Sequence, residues 1–309
     1  MMDPEKPVEF LVHLYQDGAF NRRELVRRVA RVTGSLATAV VAVETLGVTR
    51  AARAQCPPGV RVPENAPDIE AQMVDYQGPG GTVFAYLARP RDGDVPRTRS
   101  PRITRRPAIL VIHENRGLND HTKDVARRAA RAGFVGLAID LVSRQGGTHN
   151  FPDPAQAGQA YNRVGAAAYV EDMLASVAYL KTLNFVQGDR LGVTGFCAGG
   201  GNTWRLVLNS PDIRAAVPYY GSPVPTMEEL DRINIPVLAI YAEQDRNLTR
   251  GMAALIPGLL DRRKVFGFFV YEGVGHAFYN DTGSAYNPAA ACDAWARTTA
   301  FFDKHLRVA

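Results

Sequence analysis

Cysteine is scarce in this chain of 309 residues: Cys56, Cys197 and Cys292 are the only ones. So few, at such wide spacing, exclude a disulfide framework and the paired-cysteine patterns of structural zinc. Cys56 and Cys292 can pair if the chain meets an oxidising compartment. A long apolar run is also missing. The longest candidate, Val32 to Val48, is built of small residues and interrupted by Glu44, so stable membrane insertion is not expected. Charge of one sign does not dominate either, with 36 Lys and Arg against 31 Asp and Glu. Much of the basic excess falls in Arg97–Arg106, which lacks interleaved aromatics and lies between two predicted strands. That placement reads as a solvated connection rather than a nucleic-acid site. There is no internal repeat and no low-complexity tract.

The composition that remains is ordinary for a globular protein, 46% hydrophobic and 22% charged. A chain of this size buries a large core without metals or disulfides. Residues 1–55 stand apart. A short amphipathic stretch is followed by Arg22-Arg23, then by the small-residue run, then by Ala52-Arg53-Ala54. This order fits a twin-arginine-like export signal with its cleavage site. It equally fits a retained helical arm packed on the domain, or on a second subunit in a homodimer, in a cytoplasmic protein. Residues 56–309 are expected to form the folded domain.

From residue 70 onward the pattern is regular. Gln72–Tyr76 and Thr82–Ala88 read as a hairpin across Gly78-Pro79-Gly80-Gly81. Short apolar runs at 108–113, 134–139, 190–196, 215–220, 237–241 and 265–271 read as buried strands. Helical spacing occupies 120–132, ending at Gly133, then 171–183, a segment from Thr203, and 289–305. Strands that are apolar on both faces and alternate with helices predict an α/β fold, a mainly parallel sheet with helices on both faces. In such sheets the site lies at the carboxyl ends of the strands.

The strongest local signal is Gly195-Phe196-Cys197-Ala198-Gly199-Gly200-Gly201, between a predicted strand and a helix. It is a nucleophile elbow with cysteine in the nucleophile's place. The sharp turn needs small residues two positions to either side, and the following helix aims N–H groups and its positive end at the sulfur, favouring thiolate and oxyanion. Asp245 and His276 follow later strands in the order that this fold requires, nucleophile, acid, histidine. The imidazole would activate the thiol and then a water, with the aspartate fixing its tautomer. Glu243 is a rival acid. His113, His121, His149 and His305 end no late strand and read as structural or exposed.

With these residues in place, the chain over roughly 70–307 resembles the dienelactone hydrolase (carboxymethylenebutenolidase) family of α/β-hydrolases. The resemblance rests on the cysteine elbow, on His113-Glu114-Asn115-Arg116-Gly117-Leu118, on Asp140-Leu-Val-Ser-Arg144-Gln and on Gly275-His276-Ala277-Phe278. It implies an esterase or lactonase without a cofactor or bound metal, acting on a small-molecule ester or lactone. It also implies a contact of Glu114 with the thiol in the resting enzyme, an oxyanion hole made by the N–H groups of Asn115 and Ala198, and Arg144 as a holder of a substrate carboxylate. Family members that act on dienelactone carry a second arginine shortly after the histidine. Here Asn280 stands in that place, with Arg116 as a candidate substitute, which weakens anion recognition. A general carboxylesterase or thioesterase of the same fold is the alternative reading, and a non-catalytic binding protein is a remoter one.

Overall fold

The computed structural model describes residues 61–91 and 104–307, together with Glu24, Arg27 and Arg28. The export-or-arm expectation for 1–55, Cys56 and most of the basic run lie outside the described residues. Eight strands form one sheet: β1 (Ile69–Gly78), β2 (Gly81–Pro90), β3 (Arg106–Ile112), β4 (Val135–Ile139), β5 (Val186–Phe196), β6 (Ile213–Tyr219), β7 (Val237–Ala242) and β8 (Phe266–Tyr271), in the order β1-β2-β4-β3-β5-β6-β7-β8. The expected hairpin is the antiparallel edge, and β2 pairs antiparallel with β4. From β4 across to β8 every pairing is parallel.

Both faces of the sheet are covered because its central strands are apolar in both directions. In β3, Leu110 and Ile112 join one core, and Ile109 and Val111 join the other. All four are at most 1% exposed, and each such side chain contributes about 1.5–3 kcal/mol by leaving water. The first core is closed by α3 (Ala166–Thr182) and α4 (Ala198–Asn209), through residues such as Met173, Val177 and Trp204. The second is closed by α1 (Asp120–Arg131) and α7 (Pro288–Leu306), through Val125, Ala129, Ala294 and Phe302.

Helix ends follow the chemistry of their caps. Asn119 accepts from the Thr122 amide (3.0 Å) to start α1, and the chain leaves that helix at Gly133, φ 88°. Three helices were not expected from sequence: α2 (Pro154–Val164), α5 (Arg246–Ala253) and α6 (Ile256–Asp261). α5 and α6 are short, eight and six residues, whereas α2 carries a start signal, Asp153 accepting from the Ala155 amide (2.8 Å) with Pro154 in the first turn. Two expected helices begin earlier than predicted, α3 at Ala166 rather than Glu171, and α4 at Ala198 rather than Thr203.

The topology places the site. The chain enters the parallel sheet at β3, steps to β4 on one side, then crosses to β5 on the other. The crevice between the carboxyl ends of β3 and β5 is therefore the switch point at which open α/β sheets bind ligands.

Candidate active site

Cys197 follows β5 and caps α4 with φ 56° and ψ −117°, a conformation that side-chain-bearing residues rarely adopt. Packing enforces it. A Cβ on Gly195 would stand 2.3 Å from the Gly199 carbonyl oxygen, and one on Gly199 would stand 2.3 Å from that of Ile112. Only glycines at those positions let α4 close onto the ends of β5 and β3. The outcome is a free, half-buried thiol at the N-terminus of a twelve-residue helix. Cys292 on α7, by contrast, is disulfide-bonded.

Asp245 follows β7 and His276 follows β8, and the structure brings the two together. His276 Nδ1 lies 2.5 Å from Asp245 Oδ2. With Nδ1 spent on the carboxylate, Nε2 is left for the sulfur. The hydrogen bond to the Cys197 side chain is the main reason that the His276 pKa is raised to about 9; burial opposes it, and the charges of Cys197 and Asp245 add to it. Glu243, the rival acid, instead accepts from the Gly273 amide (3.0 Å) and braces the turn after β8.

Glu114 lies in the loop after β3, the strand beside the elbow. Its Oε2 accepts from Asn280 Nδ2 (2.8 Å), while its Oε1 is buried with no hydrogen-bond partner. Asn280 is held in turn by Thr282, whose amide (3.0 Å) and hydroxyl (2.7 Å) donate to its Oδ1. The backbone of Glu114 is fixed by His113. That ring is wholly buried and accepts from the Leu141 amide at Nε2 (2.9 Å). Its proton therefore sits on Nδ1 and is donated to the Glu114 carbonyl. Burial lowers the His113 pKa, so this ring is a neutral structural staple.

Asn115 is exposed just beyond Glu114, and α2 comes close enough that a Cβ on Gly158 would stand 3.3 Å from the Asn115 carbonyl. Ala198 heads α4. Arg116 is exposed and forms no ion pair among the described residues. Arg144 has a different situation from the one its motif implied. Its guanidinium is committed to Asp172, with Nε 2.9 Å from Oδ2 and Nη2 2.9 Å from Oδ1, and to Glu171 at 2.7 Å. Hydrogen bonds to those two carboxylates raise its pKa. It is a half-buried partner of α3, with its guanidinium already taken up by two acids.

Two tyrosines at the site had no sequence signal of their own. Tyr161 of α2 accepts from Asn202 Nδ2 (2.9 Å), and its ring lies edge-on to His113. Tyr220, one residue past β6, packs its ring 5.0 Å from that of His276. Its place just beyond a strand end was the available clue.

The loop that carries His276 and Asn280 is anchored at Asp281. This carboxylate receives His121 Nδ1 (2.8 Å), Arg128 Nη2 (2.9 Å) and Arg61 Nε (2.8 Å). Burial works against its charge, but the bonds from His121 and Arg61 and the nearby cations outweigh that and hold its pKa well below the carboxylate range. Arg128, itself buried, also donates to Asp124 through Nε (2.7 Å). No group of His, Cys, Asp and Glu among the described residues could hold a metal ion, and no described helix is long and apolar enough to cross a membrane.

Comparison with known proteins gives a consistent result. The model of the dienelactone hydrolase family matches residues 96–306. A Bradyrhizobium protein named "Probable 2-oxo-3-(5-oxofuran-2-ylidene)propanoate lactonase" is 32% identical over 254 residues, covering 77% of this chain and 96% of the relative. An Escherichia coli K12 protein named "Putative carboxymethylenebutenolidase" is 29% identical over 257 residues, covering 80% of this chain and 90% of that one. Among solved structures, the "Putative Dienelactone Hydrolase" of Klebsiella pneumoniae superposes with a TM-score of 0.67 at 26% identity, covering 77% of this chain and 99% of its own.

Proposed function

Since the chain belongs to the dienelactone hydrolase family and is a hydrolase of carboxylic ester or lactone bonds, we propose that Cys197 is its nucleophile, with His276 and Asp245 as its relay. The observation that carries this reading is the line from a strained thiol at a helix N-terminus, through an imidazole whose pKa that sulfur raises, to a carboxylate 2.5 Å from Nδ1. The raised pKa of His276 keeps its ring protonated at neutral pH, a cation that can stabilise the sulfur as a thiolate during reaction.

The thiolate attacks the carbonyl carbon, and the N–H groups of Ala198 and Asn115 hold the oxyanion. His276 Nε2–H passes its proton to the departing oxygen, which leaves an acyl thioester and a neutral imidazole. The same geometry explains how His276 then changes role. The sulfur that raised its pKa is now an uncharged thioester, so the ring relaxes toward its ordinary range near 6.5. It becomes able to take a proton from the attacking water. Collapse of the second tetrahedral intermediate expels the carboxylic acid and returns the thiolate, and with it the imidazolium. Asp245 keeps Nδ1 occupied throughout, so Nε2 faces the chemistry. Glu114, in the loop after the strand beside the elbow, keeps Oε1 buried and unpaired and is the second carboxylate that the family pattern assigns to the nucleophile.

A thiolate leaves a tetrahedral carbon more readily than a simple alkoxide does. Enol lactones and aryl esters, with stabilised leaving oxygens, are therefore the expected substrates, ahead of plain alkyl esters. The commitment of Arg144 to Asp172 and Glu171 and the neutral Asn280 favour an uncharged ester over an anionic lactone; Arg116 is the cation left to serve an anion. The test is a screen of anionic lactones, neutral aryl esters and alkyl esters beside Cys197→Ala. Turnover of aryl or enol esters that vanishes in the variant is expected. Full activity in Cys197→Ala, or a preference for alkyl esters, would count against a thiol nucleophile.

A further inference from the structure

His113, wholly buried at the end of β3, spends both ring nitrogens on backbone groups. Nε2 accepts from the amide of Leu141 (2.9 Å), just past the end of β4, and Nδ1–H donates to the carbonyl of Glu114. The nearby Asp140 Oδ1 stands 3.9 Å from Nε2 and already receives the Val142 amide (2.9 Å) and the Thr148 hydroxyl (2.7 Å). The two backbone partners therefore set the tautomer, and the donor on Nδ1 has one fixed target.

That target has a consequence one atom further on. A peptide unit is planar and trans, so its C=O and N–H point in opposite directions. The Glu114 carbonyl and the Asn115 amide belong to the same unit. β4 and β5 flank β3 on opposite sides. The ring reaches from β3 toward β4 and draws the Glu114 carbonyl to that side. The Asn115 N–H is thereby turned toward β5 and its elbow. The helix after the elbow packs against this same stretch of chain, since a Cβ on Gly199 would stand 2.5 Å from the His113 carbonyl oxygen. Among the described residues nothing accepts from the Asn115 amide, so it stays open for a ligand. The far end of the loop is pinned as well, with the Leu118 amide donating to Thr148 Oγ1 (2.9 Å). A carbonyl that accepts a hydrogen bond also polarises its own peptide, which strengthens the N–H as a donor.

We propose that His113 is a positioning residue for the oxyanion hole, its Nδ1–H holding the Glu114–Asn115 peptide so that the Asn115 N–H meets the oxyanion. This rests on the reading of Cys197 as nucleophile and of the Asn115 amide as an oxyanion donor. His113 touches no substrate and transfers no proton. Its effect falls on the two tetrahedral intermediates and leaves the reactivity of the thiol alone.

The experiment uses the full chain, phenyl acetate as substrate and iodoacetamide as a second probe of Cys197. His113→Gln offers an acceptor toward Leu141 but no donor where Nδ1 stood. His113→Asn places an amide N–H where Nδ1 stood and leaves the Leu141 amide unserved. In His113→Gln, kcat should fall at least about tenfold, toward the 10²–10³ that loss of an oxyanion donor costs, with KM little changed. Its alkylation rate should match wild type, because displacement at the saturated carbon of iodoacetamide builds no oxyanion. His113→Asn should have the lower melting temperature of the two and yet the higher kcat. A kcat retained in His113→Gln, or activities that follow the melting temperatures, would make His113 purely structural and overturn the proposal. A kcat loss matched by an equal loss of alkylation would locate the damage in the elbow and overturn it too. Failure of the nucleophile reading is separable and removes this proposal with it: wild-type protein alkylated at Cys197 would still hydrolyse phenyl acetate.

Discussion

Within a few residues, the loop between β8 and α7 passes through two opposite polar environments. At Asp281 a buried carboxylate takes donors from His121, Arg128 and Arg61, so its own oxygens are well served although His121 Nε2 stays unpaired. Around Cys197 the valences stay open: Glu114 Oε1 and the Tyr220 hydroxyl are buried and unpaired, and Cys197 itself holds a strained backbone. Both regions lie on the same scaffold, so the difference concerns their tasks. Saturated bonds fix a geometry, while unsaturated groups are kept ready for charges that appear only during reaction. The satisfied anchor at Asp281 is what allows its neighbours His276 and Asn280 to be aimed at an unsatisfied site.

The sharpest test of this contrast is Cys197→Ala. Hydrolysis should fall by at least about 10³-fold with no loss of thermal stability, because the thiol supports chemistry and not packing. The same variant should lower the NMR titration midpoint of His276 from about 9 toward the ordinary value of 6.5, since the leading cause of the raised value has been removed. A midpoint that stays near 9 would assign the shift to Asp245 and undo the proposed change of role during turnover. Next in size is Asp245→Asn, expected to cut kcat by about 10⁴-fold through the wrong tautomer, with folding preserved by circular dichroism.

The other side of the contrast is broken by Arg128→Ala. It strands Asp124 and Asp281 in a buried setting and should cost about 3–5 kcal/mol in chemical denaturation. Its kcat at a temperature where the variant stays folded should change far less than its stability. A smaller effect is expected from pH. His276 is protonated below about 9 and is the proton donor to the leaving oxygen, so kcat/KM should be sustained below that value and decline as pH rises through it. The stabilisation that His276 gains from its partners has the same sign, full below its unfolded value near 6.5 and lost through about 9. Smallest of all, Asn280→Ala should lower kcat about fivefold by releasing the Glu114 carboxylate from its hydrogen bond, a loss of about 1 kcal/mol, with little change in KM for a neutral aryl ester.

Much of the site was legible before any coordinates. Each of Cys197, Asp245 and His276 follows a short apolar run, and a strand end followed by glycines or a lone acid is a local pattern. Glu114 and Asn115 entered the candidate site only through family resemblance, because an acid and an amide in a loop have no period to betray them. Arg144 shows the limit of that route. Its motif implied an anion-binding arm, but Asp172, 28 residues further on and at first sight an ordinary helix acid, claims the guanidinium. α4 shows another limit. Three consecutive glycines argue against helix, and the prediction began at Thr203. The helix starts at Ala198 because close backbone contact with β3 and β6 repays the lost propensity.

By itself the sequence determined the alternation of strand and helix, and with it the parallel sheet, since runs that are apolar on both faces can be buried no other way. It also determined the elbow, through glycines that alone fit a turn so tight. The tertiary structure decided which polar groups are paired and which are left open. Whether Tyr220 finds an acceptor, or Arg144 an acid, depends on side chains that meet only once distant segments have packed, and hydrogen bonds act over a few ångströms of space, whatever the distance along the chain.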